Sequence, residues 1–406
     1  MRRAIARLVR RTGNRAGGRR TGSFGRTDGR RLLRLMGRAA AWSLPAVLSL
    51  LLSGCGTQAD KRVLEELGMV SVMGFDLEKG EASDEKDSNR TTVLFPVINP
   101  MAKVEEETLS VASNSNDSRQ RLARMTDRKL VFGQLRTVIY SASIAEGGLL
   151  DDLDALIRDP TIGTRVKLAL SDGNVRKLLA FKHPAIPRVG RFIDLLLEKE
   201  SIHLFIPQVN LHTFYRDLKD DGIDPIAPFL NPSEQSVRLD GIGLFRDDRL
   251  VGRIPADDMP YFVMLYSHFH QGTLTVQLTE NEVVTLSALR SDREVRVRRK
   301  AGGVPEAEIL VKLHGTVVEH FGYERFSTDK KQDELKRRIV RKVEEKCKEQ
   351  LELMQRLRAD CIGIGQHARR LYGYDEWIKL DWREAFAGMD IKVKAELKVK
   401  DFGIYQ

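Results

Sequence analysis

One thiol has surroundings that prescribe a chemistry. Cys55 follows Leu52-Ser53-Gly54, behind an uncharged stretch from Ala39 to Ala59 whose apolar heart ends at Leu52. A basic region, a short apolar run and a small-residue site form the layout of a secretory signal. Leu52-Ser53-Gly54-Cys55 looks like a bacterial lipobox, in which the Cys thiol receives a diacylglyceryl group and signal peptidase II cuts just before it. Small side chains at 53 and 54 suit a narrow peptidase cleft, and only Cys can form the thioether. A transmembrane helix needs about 20 mainly apolar residues. The apolar heart here has about 14, with Pro45 near its middle. Each buried CH₂ contributes about 0.8 kcal/mol, so one acyl chain anchors marginally and two or three anchor stably. The expectation is a mature protein held on a membrane through Cys55 without crossing it.

The remaining reactive side chains offer no comparable constellation. Histidines stand at 183, 203, 212, 268, 270, 314, 320 and 367, and only His268-Phe-His270 are close. A two-residue gap puts both rings on one side of a strand, whereas the surrounding segment reads as helix, and no Cys or acid stands at metal-ligand spacing. Gly363-Ile-Gly365-Gln-His-Ala368 imitates a dinucleotide fingerprint, but that motif needs a preceding strand. Here a long helix precedes it, so the glycines read as a helix break or turn. Paired acids, Glu105 to Glu107 and Glu344-Glu345, lie in charged runs and read as solvated faces, and Asp151, Asp152 and Asp154 read as caps at a helix start. No catalytic group, cofactor site or metal site is nominated.

The chain has 406 residues and a net charge of +10. Residues 1 to 54 carry 13 arginines and one acid, Asp28; the remainder carries 54 basic and 56 acidic side chains. Nucleic-acid binders carry their surplus on the folded surface that meets phosphates. This surplus sits in the leader, so nucleic-acid binding by the body is not expected. The leader is long, and Met36-Gly-Arg38 offers an alternative translation start that would give a compact signal. Three cysteines exclude a disulfide scaffold. On a continuous helix Cys347 and Cys361 would lie about 21 Å apart, too far for a disulfide, so Cys347 reads as a small core residue.

The elements follow from periodicity. Met69 to Phe75, Thr91 to Ile98, Leu135 to Tyr140 and Arg165 to Leu170 read as strands; Gly148 to Arg158 and Val189 to Lys199 read as helices. Ser110 to Ser118 leads into a helix-like segment through Arg128. Proline and glycine in Asp220 to Pro232 mark a linker. Val237 to Phe245 and Leu250 to Ile254 form a hairpin turning at Asp247-Asp248, followed by a helix from about Asp258 to His270 with Asp257 as N-cap. Glu308 to Val317 and Ile391 to Val399 alternate polar and apolar, so each belongs to a sheet covered on one side. A helix from about Asp329 to Leu357 carries the stripe Leu335, Ile339, Val343, Cys347, Leu351, Met354 and Leu357, and is the expected cover.

Several segments in order resemble one family, the Ger(x)C proteins, which are lipoprotein C subunits of nutrient germinant receptors in endospore-forming bacteria. They are Asp60-Lys61-Arg62 with Glu66-Leu67-Gly68, Val72-Met73-Gly74-Phe75-Asp76, Val97-Ile98-Asn99-Pro100, and Arg136 to Tyr140 with Leu156 to Pro160. Gly222-Ile223-Asp224-Pro225, Gly241 to Phe245 with Leu250-Val251-Gly252, Ala359 to Gly365, and Trp377 with Trp382 continue the series. The likeness covers most of residues 52 to 400. Departures are Gly56 where the family has Trp, Cys361, and the terminal Asp401 to Gln406.

The resemblance implies a mixed α/β, multi-domain extracytoplasmic protein on the outer face of the spore's inner membrane. It would act beside two integral membrane subunits and is not expected to be an enzyme. The combined expectation is an α+β fold with largely antiparallel or mixed sheets and a long C-terminal helix packed on a one-sided sheet. A signal would span 1–54, an N-terminal germination-protein domain 55–230 and a C-terminal one 236–402. The alternative readings are a solute-binding lipoprotein feeding a transporter, or a lipid-anchored envelope hydrolase.

Overall fold

Short runs of β-branched and aromatic residues, punctuated by Gly, Pro and Asp, dictate many brief strands in the first two thirds of the chain. The computed structural model describes residues 66–78, 88–97, 105–112, 115–182, 185–203, 206–233, 236–300, 304–321 and 328–401. All of them belong to one packed unit, Val63–Gln406. The lipobox residues Leu52, Ser53, Gly54 and Cys55 lie outside the described residues, as does His183.

In chain order the elements begin with β1 (Leu67–Met69), β2 (Val72–Glu78), β3 (Ser88–Val97), β4 (Glu105–Ala112), α1 (Ser115–Ala123), β5 (Lys129–Val131) and β6 (Thr137–Ser141). There follow α2 (Ala142–Gly147), α3 (Leu150–Arg158), β7 (Lys167–Ser171), α4 (Val175–Leu179), α5 (Val189–Ile202), α6 (Leu211–Lys219), β8 (Ile226–Pro232), β9 (Val237–Arg246) and β10 (Arg249–Pro255). The remainder comprises α7 (Met259–Tyr266), β11 (Leu274–Thr279), β12 (Glu282–Arg298), β13 (Glu306–Phe321), α8 (Asp329–Leu357), α9 (Ile364–Ala368), α10 (Tyr374–Lys379), α11 (Trp382–Ala387) and β14 (Ile391–Val399).

Eight strands form one mixed sheet in the order β10-β9-β8-β7-β6-β2-β3-β4. Its centre, β8-β7-β6-β2, is parallel, and the flanking pairs are antiparallel. Every residue of β6 is buried, as a strand covered on both faces requires. Helices α2, α4, α5 and α6 lie against its strands. β1 and β5 make a separate parallel pair.

The second sheet runs β11-β12-β13-β14, with only the last pair parallel. Ala307, Ile309, Val311, Leu313 and Val317 of β13 face inward, and α7 and α8 cover that face. The expected stripe on α8 is buried from Leu335 through Met354. The helix stops where Arg358 takes a left-handed conformation, φ 54°.

Several expectations need correction. The segment read as a linker, 220–232, contains the buried strand β8. Its prolines are accommodated because only Phe229 and Leu230 pair with β7, so Pro228 stands where β8 meets β9 alone. The helix expected to reach His270 ends at Tyr266, and Asp258 occupies the N-cap position instead of Asp257. The acids Glu105 to Glu107 form part of strand β4, and Glu106 accepts from Gly190 N at 2.9 Å at the start of α5. At α3 the N-cap is Leu149, with no capping side chain of its own. The donor is met from a distance: Leu150 N bonds Asp248 Oδ2 at 3.0 Å, while Asp152 is buried.

Candidate functional site: a buried carboxylate joint

Three short segments far apart in sequence meet under the C-terminal end of α8. They are the turn 220–225 leading into β8, the turn 358–365 between α8 and α9, and α11 with Trp382. Asp224 and Asp360 stand at the centre, 8% and 2% exposed. Asp360 N donates to Asp224 Oδ2 at 2.8 Å, and Asp224 N donates to the Asp360 carbonyl at 3.0 Å.

Each carboxylate then gathers further donors. Asp360 Oδ1 accepts from Ile364 N at 3.0 Å, and its Oδ2 accepts from Gly365 N at 2.7 Å and Trp382 Nε1 at 3.1 Å. Asp224 Oδ1 accepts from Asp247 N at 3.1 Å, in the β9–β10 turn, and lies 3.6 Å from Arg383. Burial pushes the Asp360 carboxyl up to about 6; the Gly365 and Ile364 amides pull against that rise and the neighbouring Asp224 adds to it. Burial likewise raises Asp224, opposed by the Asp247 amide and Arg383.

One half-buried cation stands beside them. Arg293, on β12, donates to Tyr266 O at 2.7 Å and Ile362 O at 2.9 Å, so it ties β12 to the end of α7 and to the 358–365 turn. Desolvation lowers it to about 10, opposed by Asp360, which leaves it charged at neutral pH.

The backbones in this joint touch directly. A methyl on Gly365 would meet Trp382 Nε1 at 2.6 Å and Gly222 Cα at 2.8 Å; Gly363 holds φ +71°, which an L side chain rarely adopts. The Gly-Ile-Gly run therefore makes a turn that lets two segments approach. Around it, Trp377 and Trp382 lie 5.4 Å apart between centroids, and Trp382 and Phe386 6.3 Å. An outer ring of polar contacts surrounds the glycines: Gln366 Nε2 to Asp220 Oδ2 at 3.0 Å and Arg369 to Asp220 at 3.1 Å.

Both oxygens of Asp360 are committed to N–H donors, so the cluster is built to hold segments together. His268 and His270 are exposed and flank buried Phe269, which bridges Ser291 in extended conformation. Among the described residues no three His, Cys, Asp or Glu are grouped to hold a metal ion. Cys347 and Cys361 are free and buried; the helix does break between them, and Cys361 points its thiol at Phe245 O, 3.5 Å away. In the sequence Asp224, Asp360, Gly363, Gly365 and Trp382 stand in separate blocks with nothing to join them, and nothing there marks Arg293. Two Asp-and-Gly turns are the available signal; nothing in the spacing pairs them.

The chain is similar to known proteins over most of its length. Residues 60–232 match the "Spore germination protein N-terminal domain" family and residues 240–403 match "Spore germination B3/ GerAC like, C-terminal". Spore germination protein GerQC of Bacillus cereus is 23% identical over 368 residues, covering 89% of this chain and 99% of that one. Putative spore germination protein YfkR of Bacillus subtilis (strain 168) is 21% identical over 384 residues, covering 89% and 96%. The crystal structure of the GerBC protein shares the fold, with a TM-score of 0.52 and 18% identity over 83% of this chain and all of that one.

Proposed function

This chain belongs to the spore germination B3/GerAC-like family, and on that premise we propose that it is a lipid-anchored, non-catalytic subunit of a nutrient germinant receptor. The observation that carries the reading is the succession of the two family matches along nearly the whole mature chain. The matched ranges support a division into domains of 55–230 and 236–402. Membrane attachment in this reading runs through diacylglyceryl-Cys55, and the Leu52-Ser53-Gly54-Cys55 motif supports it; none of the helices among the described residues is long and apolar enough to cross a membrane.

Two integral membrane subunits are the proposed partners, and the protein sits on the outer face of the spore's inner membrane. The site described above supports a subunit that transmits or supports binding without doing chemistry, because its buried carboxylates are saturated by donors from the chain itself. No cofactor is called for.

The test is genetic. Deleting the gene, or replacing the chromosomal copy with Cys55→Ala, should abolish or strongly slow germination in response to at least one nutrient. An unchanged response to every nutrient tried would reject the receptor reading. Mass spectrometry of the mature N-terminus should find a diacylglyceryl thioether on Cys55; a bare thiol there would reject the anchor alone.

A further inference from the structure

Strand β14 lies at the edge of its sheet, and the side it turns away from β13 borders a groove. Lys400 N donates to Gly315 O at 2.9 Å and Ala307 N to Asp390 O at 3.0 Å, so the even-numbered residues of β14 pair with β13. The odd-numbered ones, Ile391 to Val399, therefore direct their N–H and C=O groups outward. One of these is already taken: Ala395 N donates to Glu344 Oε1 of α8 at 2.8 Å. Beyond it, Leu397 borders a space of about 940 Å³ against the first half of α8, and Val399 continues the outward edge.

The walls of that space have one dominant sign. Lys330, Arg337 and Arg341 line it from α8, with Val340 and Leu397 as its apolar floor. Among the described residues these three cations make no ion pair. Asp333 also lines the groove but is engaged by Lys336 at 3.0 Å, which leaves Glu334 as the one acid without an ion pair. On the opposite face of the strand Lys398 and Lys400 are exposed beside the same edge. An open strand edge supplies main-chain pairing to an added strand, and cations on both sides select its side chains.

We propose that the β14 edge and the first half of α8 form a docking groove for an extended acidic segment of a partner protein, added as a fifth strand. Alternate residues of that segment would rest on Leu397 and Val340, and the others would face Lys398 and Lys400. The proposal stands on the groove alone and does not depend on the receptor reading.

The probe is a fluorescein-labelled peptide, Glu-Val-Glu-Val-Glu, titrated against the full chain in mild detergent and read by anisotropy. Saturable binding is expected, weakened at least tenfold by Arg341→Glu and by Val399→Pro. The second variant removes an outward N–H at a position where an edge strand tolerates proline. Peptide N-methylated on the residues that pair, or carrying Lys for Glu, should not bind. Failure of the acidic peptide to bind overturns the proposal, as does equal binding by its N-methylated form or by Arg341→Glu. Retention of the chain on phosphatidylglycerol vesicles that Arg341→Glu abolishes, without peptide binding, would assign the cations to lipid headgroups and overturn it too.

Discussion

Asp224 and Asp360, 136 residues apart, hold each other by two hydrogen bonds, the Asp360 amide to the Asp224 carboxylate at 2.8 Å and the Asp224 amide to the Asp360 carbonyl at 3.0 Å. This pair joins the start of β8, in the eight-stranded sheet, to the turn that follows α8, in the layer covering the four-stranded one. Packing alone could be shared among many side chains, whereas this joint concentrates the connection in a few buried polar groups.

Replacing Asp360 by Ala should therefore be costly. It leaves the Ile364, Gly365 and Trp382 N–H groups without their acceptor in a buried site. Unsatisfied buried donors cost about 1–3 kcal/mol each, so a loss of about 3 kcal/mol or more is expected. Urea unfolding followed by tryptophan fluorescence measures it. A midpoint within experimental error of wild type would refute the structural role.

Gly365→Ala tests the close backbone approach. Its methyl would sit within 2.8 Å of both Gly222 and the Trp382 indole. Overpacking typically costs about 1–3 kcal/mol. Thermal unfolding should shift down, whereas Gly373→Ala, with open space around it, should leave the midpoint nearly unchanged.

Buried acids give stability a particular pH dependence. Asp152 is pushed from the usual 3.8 up to about 6, first by burial and then by its neighbour Asp151. Between those values the folded chain holds a proton that the unfolded chain has lost, so protonation favours the folded state. This contribution is present in full below about pH 4 and disappears as pH rises through about 6. Asp152→Asn removes it, so the stability of wild type relative to the variant should fall as pH rises from about 3.5 to about 7. A rise over the same interval would contradict the burial of Asp152.

Thiol labelling reports on the same core. Cys347 and Cys361 are both inaccessible, and burial pushes both thiols up, away from the reactive thiolate. Neither should react with iodoacetamide in the native protein, and both should react in 6 M guanidinium, roughly the concentration that unfolds most domains. Native-state modification of Cys361 would mean that the joint opens.

Helix α8 and strand β14 were legible residue by residue, and so was the β9–β10 hairpin. Each advertises itself through a period of 3.6 or 2, or through a turn dipeptide, and those signals are local. The Cys55 motif is local as well, since the lipidation proposed for it needs only adjacent residues. What reads poorly is anything satisfied from a distance. Asp152 has the spacing of a helix cap and is buried instead, because Asp248 reaches α3 from 98 residues away. The prolines around β8 mimic a linker, because the sequence does not say which neighbour each N–H lacks.

By itself the sequence determined the elements with strong periodicity, the Cys55 motif and the ordered blocks of the family. Only the tertiary structure decided that Asp224, Asp360, Arg293 and Trp382 form one cluster, and that the outward edge of β14 faces cations of α8. The physical reason is that pairing of polar groups depends on which backbones approach in space. Hydrophobic periodicity records which face of an element is buried, and carries no address for the partner.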